Sequence, residues 1–289
     1  MPLRACDAVH RAPKENREQQ QRSGRPTMAS MRSGAVKASA PKGRLFQGRA
    51  GRHVAARATS LDEGFRQERE MPNEYELIYF DAKGAVETVR LLLAAAEVEY
   101  TDNRLELEFQ DGQPNAPTFY EGKQNGEYLV NLNRVPVLRI DNFKLGQTKA
   151  IERYVARTFG FMGMSDLEEA AVDSYCEHIR DIKDAAARTR TAAGSDENAR
   201  NEAMKSFYND TLPQWLNSLE VVTGPAGVAV GDSVSLADIS LYQLTEYFTD
   251  EDKVIDALAS CPKLRACIAT VQSLPGIQRY LENRPQTPF

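Results

Sequence analysis

The octapeptide Gln147-Thr148-Lys149-Ala150-Ile151-Glu152-Arg153-Tyr154, with the run Val135-Pro136-Val137-Leu138 shortly before it, decides how this 289-residue chain is read. The run is a short apolar strand around a proline. Asp141-Asn142 supplies a two-residue turn and Phe143 to Leu145 a second short strand, and the octapeptide then opens a helix on a small polar residue. The first N–H groups of a helix lack partners within it and carry partial positive charge, so they accept a carboxylate. Pro136 has no N–H, and an X–Pro bond can be cis, so it suits a kinked strand end whose neighbouring backbone stays open to a ligand. A strand end and a helix start facing one point make a site for a small peptide with a free carboxylate.

Toward the N-terminus, Tyr75 to Phe80 reads as a strand and Asp81-Ala82-Lys83-Gly84 as a turn. Ala85 to Val98 reads as a helix, with Val86, Val89, Leu92, Leu93 and Ala96 at helical spacing. Tyr100 to Phe109 alternates as a second strand. Residues 110–130 are rich in Gly, Pro and Asn and are expected to form a long loop with one helical turn at Tyr128-Leu129. A helix from Thr148 to Phe159 follows the hairpin. The order βαβ, loop, ββα is a thioredoxin-like layout.

Toward the C-terminus, Phe159 to Ser165 is a linker and helices follow. Ala170 to Thr191 is one. Glu197 to Val222 is another, with Phe207, Leu212, Trp215, Leu216 and Leu219 on its apolar side and Pro213 placed to kink it. Ser235-Leu236-Ala237-Asp238 is a capping box opening a helix that is apolar nearly all round, as in a buried central helix. Cys261-Pro262 and Leu274-Pro275-Gly276 open the last two. The expected organisation is a leader over 1–72, an α/β domain over 73–159 and an all-helical domain over 166–289.

Charge is unevenly divided. Residues 1–60 hold 13 basic and 3 acidic side chains, a balance of +10; the whole chain stands at −5, so residues 61–289 carry −15. An acidic globular part argues against nucleic acid as a partner. The four cysteines show no metal-ligand spacing and there are three histidines, so no metal site is expected. No apolar run approaches the ~18 residues of a membrane span. From Gln19 to Leu61 nine basic and no acidic residues occur among Ser, Ala and Gly, in the manner of an organelle transit peptide. The other readings are a disordered basic tail, or a start codon placed before the true one at Met28 or Met71. The expected location is the cytoplasm, or a plastid or mitochondrion where the leader is a transit peptide.

Several pieces, in order, carry a resemblance over residues 73–289. Tyr75-x-Leu77-x-Tyr79-Phe80 with Gly84 and Glu87, Val135-Pro136-Val137-Leu138, Gln147-Thr148-x-Ala150-Ile151-x-Arg153-Tyr154, the capping segment Gly231 to Asp238, and Arg284-Pro285-Gln286-Thr287 resemble the sigma class of the soluble glutathione transferases, which includes the glutathione-dependent prostaglandin-D synthases. The resemblance implies a thioredoxin-like α/β domain followed by an all-α domain, with glutathione as co-substrate. It implies that the Tyr79 hydroxyl activates the thiol, that Gln147 and Thr148 hold the γ-glutamyl carboxylate, and that Val135, before Pro136, pairs with the cysteinyl backbone. It further implies that Arg134 or Asn133 meets the glycyl carboxylate. In a homodimer, an acid at Glu177, or Asp173 one turn earlier, reaches the ligand's amine across the interface.

Two departures bear on this. Ala85 stands where sigma enzymes usually carry an Arg that supports the Tyr hydroxyl. The Trp and Lys usually found before the proline strand are not evident, and Lys123, Glu127 or Tyr128 are the candidates to replace them. The electrophile pocket is expected along residues 180–193, rich in Ala and Arg and without aromatics. That composition favours general conjugation of small hydrophobic electrophiles, or peroxide reduction or isomerisation, over a prostaglandin-specific pocket. The alternatives are a catalytically weak ligand-binding or structural protein, as among lens crystallins, and a scaffold module using the leader as an interaction arm.

Overall fold

A computed structural model of the chain describes residues 74–287 apart from 111–112 and 249, and the leader falls outside them. β1 (Tyr75–Phe80) is followed by a single 3-10 turn (Gly84–Val86) and then by α1 (Glu87–Ala95). The helix therefore begins two residues later than its periodicity suggests. Gly84 is the reason: at φ +46° it occupies left-handed backbone that a regular first helical turn does not allow.

β2 (Thr101–Leu105) lies parallel to β1, while β5 (Val137–Ile140) and β6 (Phe143–Gly146) complete an antiparallel half, giving the strand order β2-β1-β5-β6. Leu77 faces Leu138 across β1 and β5, and both are fully buried. α3 (Thr148–Thr158) follows β6 and buries Ile151, Val155 and Ala156. This is the expected thioredoxin-like arrangement.

Two expectations in this half need correction. The strand expected over Tyr100 to Phe109 divides: β2 ends at the buried Leu105, and β3 (Glu108–Gln110) turns away to pair with β4 (Gln113–Asn115) as a separate ribbon. The expected loop over 110–130 also contains α2 (Pro117–Gln124), which starts on a proline, while the helical turn expected at Tyr128-Leu129 is present as a 3-10 turn (Leu129–Asn131). Phe119 and Tyr128, stacked at 5.5 Å and both buried, pin this segment to the core.

The remaining elements are helical: α4 (Asp166–Ala192), α5 (Glu197–Ser206), α6 (Leu212–Val222), α7 (Leu236–Tyr247), α8 (Glu251–Leu258), α9 (Pro262–Gln272) and α10 (Pro275–Asn283). Between α5 and α6, Phe207–Thr211 forms a π turn just before Pro213, which is where the proline interrupts the otherwise continuous helix. α8 lacks a sequence signal strong enough to announce it. The capping box of α7 is present: Asp238, fully buried, accepts from the Ser235 and Ala229 N–H groups at 2.9 and 2.6 Å. α7 forms the helical centre against α4 and α9, and α1 packs on both α7 and α10. Gly276 seats α10 on α1 so closely that a β-carbon there would overlap the Ala94 carbonyl oxygen.

Candidate functional site

Strand register assembles the site. β1 and β5 pair Ile78 with Val137, and β5 and β6 pair Val137 with Gly146. One step past these pairs, Tyr79, Pro136 and Gln147 fall in a row at one end of the sheet, the carboxyl end of β1. Ligands of open α/β sheets sit at such ends.

Tyr79 is buried, and its hydroxyl oxygen accepts a hydrogen bond from the Ala85 N–H at 3.2 Å. The approach is close: a β-carbon on Gly84 would lie 2.7 Å from that oxygen. A phenol oxygen that accepts an N–H bond becomes a better donor through its own proton, because hydrogen bonds polarise one another. The same N–H lies at the start of the helical segment running from Gly84 through α1, where partial charge is positive.

In the loop before β5, Leu132 and Asn133 both hold positive φ, at 52° and 58°, and the Val135–Pro136 bond is cis. The Asn131 amide donates to the Pro136 carbonyl at 2.8 Å, and the Arg134 guanidinium donates to the Asn131 carbonyl at 3.3 Å. Gly146 packs against the Asn131 side chain and leaves no room for a β-carbon. Among the described residues, neither the N–H nor the C=O of Val135 has a hydrogen-bond partner, and the buried Asn133 Oδ1 has none either. These polar groups are not used within the chain, and their type fits a ligand with its own amides.

Gln147 is the N-cap of α3 at φ 70°, and Thr148 is the first helical residue. The Gln147 carbonyl accepts from Ala150 and Ile151 at 3.0 Å each, but no side chain caps the helix. The start of this helix is open, as its sequence suggests, which suits an incoming carboxylate.

Glu177 stands apart from this row. Arg153 of α3 donates to Asp173 at 2.7 Å and to Glu177 at 3.0 Å, and Glu177 also meets Arg180 at 2.5 Å. Both candidate acids are therefore held by one arginine between α3 and α4. Tyr128 is not available to a ligand: it is buried on Phe119, with its hydroxyl against Gly122. Lys123 and Glu127 are exposed, and the Glu127 carbonyl accepts from Lys144 at 3.3 Å.

Two clusters escaped sequence reasoning. Lys183 on α4 donates to Gln243 and lies 5.0 Å from the centroid of the Tyr247 ring, both on α7. Burial, reinforced by the nearby Lys149, pulls its ammonium down to about 7. The second cluster joins the two ends of the fold through Glu87, which accepts from Tyr280 at 3.1 Å and from Arg284 at 2.8 Å. Among the described residues, no group of three or more His, Cys, Asp or Glu is placed to hold a metal, and no helix is long and apolar enough to cross a membrane.

Comparison with known proteins agrees with the fold. The family model for the glutathione S-transferase N-terminal domain matches residues 75–157, and that for the C-terminal domain matches residues 181–284. Glutathione S-transferase 1 of Ascaris suum is 30% identical over 221 residues, spanning 75% of this chain and 99% of that protein. S-crystallin 3 of Enteroctopus dofleini is 31% identical, spanning 76% and 100%. Among solved structures, the monomeric glutathione S-transferase Na-GST-3 of the hookworm Necator americanus matches with a TM-score of 0.62 at 28% identity, spanning 75% and 100%.

Proposed function

This chain belongs to the glutathione S-transferase family, and on that premise we propose that it is a sigma-class-like transferase that activates glutathione through Tyr79. The N–H bond from Ala85 to the Tyr79 hydroxyl is the observation that carries the reading. It supplies from the backbone the support that the missing arginine would give.

Glutathione brings a thiol of pKa about 8.5, of which only a few per cent is thiolate at neutral pH. The Tyr79 hydroxyl donates a hydrogen bond to the sulfur and favours the thiolate, the thiol proton passing to water; each unit of lowering is worth about 1.4 kcal/mol. Thr148, with Gln147, holds the γ-glutamyl carboxylate at the uncapped start of α3. Val135 pairs its free backbone groups with the cysteinyl unit, in the approach set by Pro136. Arg134 meets the glycyl carboxylate, and Asn133 Oδ1 accepts a ligand N–H. The thiolate sulfur then forms a bond to an electrophilic carbon of a small hydrophobic molecule, whose leaving group departs or whose new carbanion is protonated by water. Peroxide reduction draws on the same thiolate.

The protein is further proposed to be a homodimer, with Glu177 reaching the ligand's amine in the partner's site. The apolar Leu129, Leu132 and Phe143, all exposed beside the proline loop, support an interface there. Domain limits of 73–159 and 166–289 follow the same family reading, as does a cytoplasmic location, or an organellar one through the leader.

The second reading is a binding protein with little chemistry, favoured by Ala85 and by the similarity to an S-crystallin. Ultraviolet titration of the thiolate of bound glutathione separates the two. A thiol ionising well below pH 8, and lost in Tyr79→Phe, supports the enzyme; a bound thiol that titrates as in water supports the binding protein.

A further inference from the structure

We infer that Arg284, close to the end of the chain, is a positioning residue for thiol activation: through Glu87 it fixes the turn whose Ala85 N–H supports Tyr79. The inference rests on the role proposed for Tyr79. The turn between β1 and α1 is held at both ends. At its start, the Ala82 carbonyl accepts from the buried Arg90 at 2.6 Å. At its end, Glu87, 1% exposed, is held by Arg284 at 2.8 Å, by the Tyr280 hydroxyl at 3.1 Å to each oxygen, and by Arg90 at 3.5 Å. Gly84 and Ala85, which touch the Tyr79 hydroxyl, lie between these two anchors.

Arg284 acts in two ways. Its planar guanidinium grips Glu246 of α7 with two bonds, at 2.7 and 2.8 Å, while reaching Glu87 of α1, so it fixes α1 against the helical half of the molecule. It also neutralises two carboxylates, the buried Glu87 and the partly buried Glu246. Burial opposes ionisation of Glu246, yet Arg284 outweighs it and holds that carboxyl below its usual range. Without the arginine, Glu87 and Glu246 would face each other with less compensation, and their negative charge would disfavour both a thiolate and a strong phenol donor nearby. Geometry and charge thus act in the same direction on the reaction. No sequence spacing announces this, since 197 residues separate the two partners.

The test compares the parent, Arg284→Met, Arg284→Lys, Glu87→Gln and Tyr79→Phe in the full chain. The readouts are the thiolate absorbance of bound glutathione against pH, and kcat and KM for conjugation of 1-chloro-2,4-dinitrobenzene. The expected result is an about tenfold smaller thiolate fraction at pH 6.5 in Arg284→Met, with the KM for glutathione within about twofold of the parent. Arg284→Lys restores part of it, because it returns the charge but not the two-pronged grip. Glu87→Gln keeps the side-chain volume, weakens the grip on the turn and removes a negative charge that would itself disfavour the thiolate, so a fall in its thiolate fraction reports the geometric effect alone, and loss of fold in Arg284→Met leaves the test intact. If every Arg284 and Glu87 variant that folds titrates as the parent does while Tyr79→Phe does not, the inference falls and the Tyr79 reading stands. If Tyr79→Phe also leaves the thiol unchanged, the Tyr79 reading falls, and this inference with it.

Discussion

The Ala85 N–H donates to the Tyr79 hydroxyl oxygen across 3.2 Å, with the Gly84 α-carbon pressed against the same ring. Proline at position 85 removes this donor and sets its ring Cδ where the amide hydrogen lay, against the same hydroxyl, so it both deletes the bond and crowds the phenol. Ala85→Pro is expected to lower the thiolate fraction of bound glutathione at pH 6.5 by about threefold to tenfold, the worth of one hydrogen bond. Tyr79→Phe is expected to lower kcat by about a hundredfold, at the low end for loss of a positioned proton donor. Stopped-flow conjugation and thiolate absorbance check both.

Gly84 tolerates no side chain. At φ +46°, an alanine costs about 1–2 kcal/mol in backbone strain alone, and its β-carbon would displace the Tyr79 ring. Gly84→Ala should lower both the denaturation midpoint and kcat, whereas Lys83→Ala, next to it, should lower the midpoint far less.

Gly276 makes a similar demand far from the site. Because its α-carbon rests on the Ala94 carbonyl, Gly276→Ala must lift α10 from α1, at a cost of about 1–3 kcal/mol or more. Urea unfolding measures this. The same substitution at Gly194, where nothing lies within 4 Å but φ is +75°, should cost only the backbone strain.

Lys183 sets a pH dependence. Below about pH 7 it is charged in the folded and the unfolded chain alike, and the full cost of a buried ammonium is present. Between 7 and the ordinary lysine value of about 10.4, the unfolded chain holds more protons than the folded one, so stability rises with pH. Lys183→Met is therefore expected to stabilise the protein most at pH 6, with the gain shrinking toward pH 10. Denaturant midpoints across that range, where the mutant stays flatter than the parent, check the sign.

Leu132, 76% exposed beside Leu129 and Phe143, bears on assembly. Leu132→Glu is expected to turn a dimer into a monomer in sedimentation velocity while leaving the far-ultraviolet spectrum unchanged. A parent that already sediments as a monomer, like the monomeric Na-GST-3 of the hookworm, would remove the proposed role of Glu177 across an interface.

The sheet was legible because its signals are local. Apolar runs of four to six residues, a proline and a turn residue place β1, β5, β6 and α3, and register alone then aligns Tyr79 with Pro136 and Gln147. Residues 110–130 misled because Phe119 and Tyr128 order that segment by stacking on each other across a glycine-rich span, which no periodicity reports. At Ala85 the sequence shows only a missing side chain, because the hydrogen bond to Tyr79 is made by the backbone N–H, which residue identity does not report. Lys183 read as one more charge in an Ala-rich helix, since only the packing of α4 on α7 buries it.

The bolt between Glu87 and Arg284 also bears on how the molecule is synthesised. A ribosome releases the sheet half of the protein long before α10, so the buried carboxylate of Glu87 must wait for 193 further residues before Tyr280 reaches it and 197 before Arg284 does. Contacts of such long sequence separation form late and slow folding. The carboxyl end of β1 is thus completed by residues 280–284, and a nascent chain cut short before Tyr280 lacks both of these partners.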